Sequence, residues 1–401
     1  MTLPVSGVDP SCSDLESEFA GLASRVEMLG YTGWEFDDFL ASRVVQRLTF
    51  GNLLAQRVAV QVGERLPLNL RSPLRVPKLE STKANGFFAR GYLYAFRATH
   101  DQRWLARAVT LLDRLLASAT LGYSGLAWGN AFDFASRGGF FPAGMPTVVW
   151  TAHVSKAFEL GHKETGDDRY ADAVVSSSRF VLRDLERYED RNGVCIAYAP
   201  SKTNLVHNSN LLGAVALLRG WKLDGDAKQL EVARSAFAWS LAHQRTDGSW
   251  LYGVGQKWAW IDNFHTAYVL ECLREGHALA GEDVVPPAAI ESTYRYWRDT
   301  FFLADGTPRY YHDRTYPLDI QCAAQAIATL ATCSDLDVDA VNLAHRVLRR
   351  TDEGLRRSDG LYGYRRGRLL ANRLVAIHWG QSTMLEALGL LLEHCHADGG
   401  V

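Results

Sequence analysis

The chain has 401 residues, a net charge of −2, 47% hydrophobic and 22% charged residues, the make-up of an ordinary globular protein with a sizeable core. That balance excludes a global field for nucleic acid or anionic membranes, and no run of about 18 apolar residues exists to span a bilayer. Aromatic residues stand out, with 11 Trp, 16 Tyr and 17 Phe. Many Trp and Tyr fall beside glycines rather than in periodic apolar runs, which points to a ring-lined cavity.

In chain order, residues 1–25 read as a polar N-terminal extension containing Pro4, Pro10, Ser11 and Ser13. It lacks the basic-then-apolar order of a secretory signal, so a cytoplasmic location is expected. The six cysteines, Cys12, Cys195, Cys272, Cys322, Cys333 and Cys395, form no CxxC pair and read as reduced thiols.

Residues 26–396 carry a repeat. Glycine turns recur at Gly125, Gly193, Gly248, Gly306 and Gly360, the last four about 54 to 58 residues apart and the first gap about 68. The Pro-rich stretch Leu66–Pro77 is the expected turn of an earlier unit, making six. Each turn follows an amphipathic stretch, as in Arg103–Ala119, Tyr170–Tyr188, Asp226–His243 and Pro287–Phe302. In the first of these Leu105, Ala108, Val109, Leu112 and Leu115 recur at helical spacing. Each turn then leads through an aromatic loop into a more apolar stretch: Phe87–Arg97, Val148–Leu160, Asn210–Trp221, Thr266–Leu279, Ala323–Ala331 and Ser382–Glu393. A helix apolar on nearly every side is a buried helix. The expected fold is all-α: a single-domain (α/α)6 toroid of six helix hairpins, with an open solenoid as the alternative.

Polar outliers gather where the inner helices start. His207/Asn210, Asp262/His265 and His378/Gln381 are each spaced i, i+3, which puts both members on one helical face. Asn208, Trp258 and Trp379 lie beside them, and Tyr311, His312, Asp313 and Asp319 occupy the fifth unit. Asp262 suits a helix N-cap, and a cap does not exclude a site role. The loop Gly125–Trp150 holds Trp128, Asp133 and Arg137 and is kept irregular by Pro142 and Pro146; loops of that length are usually functional, though an Asp133–Arg137 pair could simply order it. No GxxxxGK[ST], strand-linked GxGxxG or GxSxG is present. Asp319, Cys322 and His378 are not spaced like a zinc set. No metal or cofactor is expected.

The segment AHQRTDGSWLYG (Ala242–Gly253) resembles the QxxDGSW turn of terpenoid-cyclase-type toroids. The pieces WGNAFDFASRGGFFP, HNSNLLGA, WIDNFHTAYVLECL and DGTPRYYHDRTYPLDIQCAAQ are similar to toroid proteins of bacterial exopolysaccharide and capsule clusters. More distantly they are similar to the helical domain of D-glucuronyl C5-epimerases and to toroid polysaccharide lyases. The resemblance covers about Ala84–Leu392 and implies the toroid fold and a saccharide partner. An Asp-rich cyclase motif is missing at its usual place, EFDD at Glu35–Asp38 lying in another unit, and the β-modules of epimerases and lyases are missing too.

Four functions compete, the first of them leading. Proton abstraction beside a uronate carboxylate, giving epimerisation or β-elimination, needs a base, an acid and a carboxylate clamp. Here the base is His265 or His312, the acid Tyr311, and the clamp Asn208, Asn210 and Arg137, with Trp128, Trp258 and Trp379 stacking on sugar. Glycoside hydrolysis needs two carboxyl groups, from Asp133, Asp262, Asp313 and Asp319. A glycan-binding scaffold needs only the rings, and an isoprenoid cyclase needs rings around an acid.

Overall fold

The computed structural model describes residues 11–398. Fourteen α-helices dominate these residues, with only short antiparallel ribbons between them. The outer layer comprises α1 (Cys12–Met28), α5 (Gln102–Ala117), α7 (Asp168–Arg183), α9 (Ala227–Leu241), α11 (Pro287–Phe301) and α13 (Ala340–Leu355). The inner layer comprises α4 (Thr82–Thr99), α6 (Val148–Thr165), α8 (His207–Asp224), α10 (Asn263–Ala280), α12 (Ile320–Ala331) and α14 (Thr383–Asp398). Each inner helix packs on the next, and α14 returns to α4, so the ring is closed. The fold is the (α/α)6 toroid, and the solenoid alternative falls.

The glycine turns close the ring for a steric reason. A Cβ at Gly125 would strike the Ser176 carbonyl of α7; at Gly193, Ser235 of α9; at Gly248, Ser292 of α11; at Gly306, Arg346 of α13. A Cβ at Gly360 would strike Arg25 of α1, which carries the series back to the first helix. Each unit's turn thus presses on the next outer helix, and a side chain there would hold the layers apart. The inner helices are lined with Ala and Gly, which lets their backbones approach; Gly91 of α4 and Gly389 of α14 meet backbone to backbone.

Two expectations need correction. Residues 12–25 belong to the ring and not to a polar extension: α1 buries Leu15, Phe19, Leu22 and Ala23 in the main core and packs on α14. The first ten residues of that segment lie outside the described residues. Cys12 and Cys395 are also not both reduced: they form a disulfide, Cα–Cα 5.8 Å, tying α1 to α14. The other four cysteines are free and buried.

The first unit departs from the rest. In place of a short turn, paired strands Thr32–Gly33 and Leu79–Glu80 frame an insertion holding α2 (Arg43–Thr49) and α3 (Leu53–Arg65). It has a small core of its own, including Phe39, Leu40, Val45, Val60 and Val76. Buried Arg71 knits it, donating to Asp38 Oδ1 (2.7 Å) and to the carbonyls of Glu35 (2.9 Å) and Phe36 (2.9 Å). The Leu66–Pro77 stretch belongs to this lid. Trp34 O accepts the Ile377 N–H, which anchors the lid at the entry to α14.

Candidate active site

The long outer-to-inner connections and the lid surround one end of the ring, where the inner helices begin. Aromatic rings form a continuous wall there. Trp150 meets His378 (5.6 Å between centroids), His378 meets Trp379 (5.8 Å), and Trp379 meets Phe264 (5.5 Å). Phe264 meets His265 (3.9 Å), His265 meets Tyr252 (4.4 Å), and Tyr252 stacks on Trp260 (4.3 Å, 14°).

Asp262 is the N-cap of α10, its Oδ1 accepting the His265 N–H at 3.0 Å. The i, i+3 spacing brings the imidazole back over the same carboxylate, with Nδ1 2.9 Å from Oδ1 and 2.8 Å from Oδ2. Trp260 Nε1–H donates to Oδ2 at 2.8 Å. Asp262 is buried, whereas the His265 side chain keeps 22% exposure. Nε2 makes no hydrogen bond to the described residues. A carboxylate that accepts Nδ1–H leaves Nε2 as the basic atom. His207, Asn208, Trp250 and Tyr252 line a small cavity with this pair.

The other predicted pairs divide. Asn210 is a scaffold pin: it accepts the Ile196 N–H (2.9 Å) and donates to Ala236 O (2.8 Å) and Ser240 Oγ (2.9 Å). Gln381 pins its unit likewise, accepting the Tyr362 N–H (2.9 Å) and donating to Tyr362 O (2.8 Å). Asn210 therefore has no free amide for a substrate carboxylate. His207 is buried against Trp239, His243 and Trp250, and burial pushes its pKa down to about 3, so it stays neutral. Asn208 is buried with its Oδ1 unpartnered. His378 is buried between Phe87 and Trp150 with Nε2 unpartnered, and burial holds it well below the usual imidazole range.

Three expected sugar platforms or carboxyl groups are committed elsewhere. Trp128 is fully buried, its Nε1–H given to Leu115 O (2.9 Å) and its ring against Phe158. Trp258 is also buried; its neighbour Trp260 is the half-exposed ring. Asp319 caps α12 through the Cys322 N–H (3.1 Å) and pairs with Arg365 at 2.9 Å. At the rim, Asp133 accepts from Ala143 N–H (2.8 Å) and Gln46 Nε2 (3.2 Å), a link to the lid in place of the Arg137 pair. Arg137 is exposed and lies 5.5 Å over the Trp260 ring. Tyr311 is half-buried, its backbone bridged to Asp262. Burial raises the Tyr311 phenol first and the Asp262 charge raises it further. His312 is exposed, Nδ1 3.3 Å from Ile261 O, and Asp313 pairs with Arg314 on the surface.

The lid brings in residues that the repeat pattern passes over. Glu35 is buried and accepts the His378 N–H (2.6 Å) and the Trp379 N–H (3.2 Å) at the entry to α14. Burial, opposed by those two donors, pushes its pKa well above the carboxylate range. Phe36 stacks on Tyr364 (5.0 Å, 7°) and leans on Trp379 (4.8 Å). Asp37 beside it is pushed up to about 7, first by burial and then by the charge of Asp38. Lys83, at the start of α4, is buried with Nζ 4.9 Å over Trp150 and 5.7 Å over Phe87. Burial, and then Arg90, pull it down to about 7. The one sequence signal was three carboxylates in four residues, EFDD, inside an otherwise apolar stretch.

No family model matches the chain, and no curated protein matches its sequence. Solved structures share its shape. Cellobiose 2-epimerase from Bacillus thermoamylovorans is 12% identical, with a TM-score of 0.61 over 80% of this chain and 90% of that one. A glycosyl hydrolase of family 88 from Bacteroides vulgatus is 9% identical, TM-score 0.61, over 96% and 100%. A polysaccharide lyase is 9% identical, TM-score 0.54, over 79% and 91%. At such identities the likeness is one of fold.

Proposed function

We propose that this chain is a carbohydrate-active enzyme that removes the proton beside a uronate carboxylate, giving epimerisation or β-elimination. The Asp262–His265 pair carries the reading. A carboxylate holding Nδ1 orients the ring, stabilises the imidazolium that forms, and leaves Nε2 free to take a proton in the bowl. The second observation is Arg137, an exposed guanidinium over Trp260, whose indole is itself bonded to Asp262. A substrate carboxylate there would be neutralised as negative charge builds on its α-carbon. Trp379 offers a ring face to sugar, and Trp260, stacked on Tyr252, supports Arg137. Tyr311, its backbone bridged to Asp262, is one group placed to return a proton; Asp37, beside the Phe36 that leans on Trp379 and with its carboxyl raised to about 7, is the other.

The fold neighbours include a cellobiose 2-epimerase, a polysaccharide lyase and a glycosyl hydrolase, which supports a saccharide substrate. Hydrolysis is the second reading; it needs two carboxyl groups, and with Asp133, Asp313 and Asp319 engaged the pair would be Asp37 and Asp262. The test is a panel of uronate-containing glycans incubated in deuterated buffer. Deuterium at the carbon beside the carboxylate without chain cleavage indicates epimerisation, and absorbance of an unsaturated uronate indicates elimination. Cleavage with neither signal would overturn the proposal in favour of hydrolysis.

A further inference from the structure

The whole-chain charge of −2 conceals a local imbalance. From Arg43 to Lys78 seven basic residues stand against one acid, Glu64; the lid's other acids, Glu35, Asp37 and Asp38, precede α2, and Asp38 is paired with the buried Arg71. Glu64 is already taken by Arg365 at 3.0 Å. Arg43, Arg47, Arg65 and Arg75 are exposed, and none of them makes an ion pair among the described residues.

The same segment exposes large apolar side chains. Leu54 (70% exposed), Val58 (54%) and Val62 recur every four residues along the outer side of α3, while Val60 and Gly63 on its other side are buried. Phe50, at the α2–α3 corner, is 90% exposed and takes a left-handed backbone, φ 50°. That conformation is usually left to Gly or Asn, and nothing in the lid's own core requires a phenyl ring there. A second element extends the surface. The hairpin of Arg365–Arg366 and Ala371–Asn372 exposes Arg368, Leu369 (92%) and Leu370 at its tip. Asn372 Nδ2 donates to Glu64 O (3.2 Å) and Leu66 O (3.1 Å), which fixes the hairpin against the end of α3.

We propose that α2, α3 and this hairpin dock on the surface of an anionic lipid bilayer, with the lid edge of the bowl turned toward it. Leucine, valine and phenylalanine beside arginines is the composition of an interfacial helix, whose apolar face enters the headgroup boundary while the cations meet anionic lipid. Charge complementarity singles out that occupant. A two-fold contact between copies of this chain would set each arginine cluster against its own like. Nucleic acid would satisfy the arginines and leave the leucines and Phe50 without reward. The docking is independent of the reaction proposed above.

The test is co-sedimentation of the full chain with vesicles of phosphatidylcholine, with and without phosphatidylglycerol, at low and high salt. Binding is expected only with phosphatidylglycerol and is expected to weaken with salt. Two double variants, Arg43→Glu with Arg47→Glu and Leu54→Ser with Val58→Ser, alter exposed side chains and are expected to keep the wild-type circular dichroism. Each should lower partitioning roughly tenfold or more. Absence of binding to phosphatidylglycerol vesicles, or equal binding by both variants, would overturn the proposal. So would a dimer by light scattering that disappears in the Leu54→Ser, Val58→Ser variant, which would assign the surface to self-association.

Discussion

Asp262 holds His265 twice, once by the backbone and once by the ring. Its Oδ1 accepts the His265 N–H at 3.0 Å, and both of its oxygens lie within 2.9 Å of Nδ1. The cap and the orienting contact share one carboxylate because residue N3 of a helix turns back over its N-cap. Capping and site chemistry are therefore compatible here, and a substitution can separate them.

Asp262→Asn is that substitution. Asparagine caps helices about as well as aspartate, so the melting temperature should move little. The amide has only one acceptor oxygen for three donors: the His265 N–H, Nδ1–H and Trp260 Nε1–H. His265 should then move its proton to Nε2 and lose its basic atom. The expected result is a loss of about 10²- to 10⁴-fold in kcat/KM with near-normal stability. Full activity in this variant would show that Asp262 is a cap and nothing more.

His265→Ala and Trp260→Ala should fail differently. Loss of the base should remove turnover, by about 10²-fold or more, while the rings keep binding the glycan. Loss of the half-exposed indole should chiefly raise the dissociation constant, measured by calorimetry, since Arg137 loses the ring it rests on. Trp128→Ala is the contrast: it empties a fully buried site and should cost about 3–5 kcal/mol of stability. A specific binding defect in a well-folded Trp128→Ala protein would contradict that assignment.

The toroid was legible because its glycines answer a steric demand that recurs at every unit. Gly193, Gly248, Gly306 and Gly360 each face the next outer helix, so their spacing is the spacing of the units. The i, i+3 pairs were legible as positions and mixed as roles. Asn210 and Gln381 spend their amides on neighbouring scaffold atoms, whereas the Asp262 carboxylate and the His265 ring pair with each other beside the bowl. Helical spacing places two side chains on one face but does not say which loop passes in front of that face. Trp258 and Trp260 differ for the same reason, since alternate residues of an irregular loop take opposite environments. The lid was the largest omission. Its acids sit in the first unit, outside the glycine series, and the bond of Glu35 to the His378 N–H spans more than 340 residues.

The disulfide sets a separate test. Cys12 lies one residue after the Ser11 cap of α1 and Cys395 in the last turns of α14, so the bond links the two ends of the ring. Digestion under non-reducing conditions should yield one cross-linked peptide containing both cysteines. Cys12→Ser should lower the melting temperature and make it insensitive to reductant, because a bond closing so long a loop restricts the unfolded chain strongly; about 2–5 kcal/mol is typical for native disulfides. Alkylation of all six cysteines without reduction would support the reduced-thiol reading instead.

Asp37 gives the last prediction, in which stability and activity move in opposite directions. Its carboxyl is raised from the ordinary aspartate value of 3.8 to about 7, chiefly by burial. Between those values the folded chain keeps a proton that the unfolded chain has released, so the folded state binds more protons. The stability this contributes is full below pH 4 and is lost as pH rises through 7. At about 1.4 kcal/mol per unit the loss is at most about 4 kcal/mol. Asp37→Asn replaces the carboxyl by a neutral group of the same shape. It should unfold at higher urea than wild type at pH 7.5, match wild type near pH 4, and flatten the slope between them. Lys83, lowered to about 7, has the opposite sign above neutrality: its folded form has released a proton that the unfolded chain still holds, so its contribution rises from pH 7 towards 10.5. The Asp37 effect is therefore read below pH 7.5, where the lysine adds little slope. If Asp37 returns the proton in catalysis, the asparagine variant gains stability at neutral pH and loses the alkaline limb of its pH–rate profile together with most of its rate. A variant that is both more stable and fully active would leave Tyr311 as the proton donor.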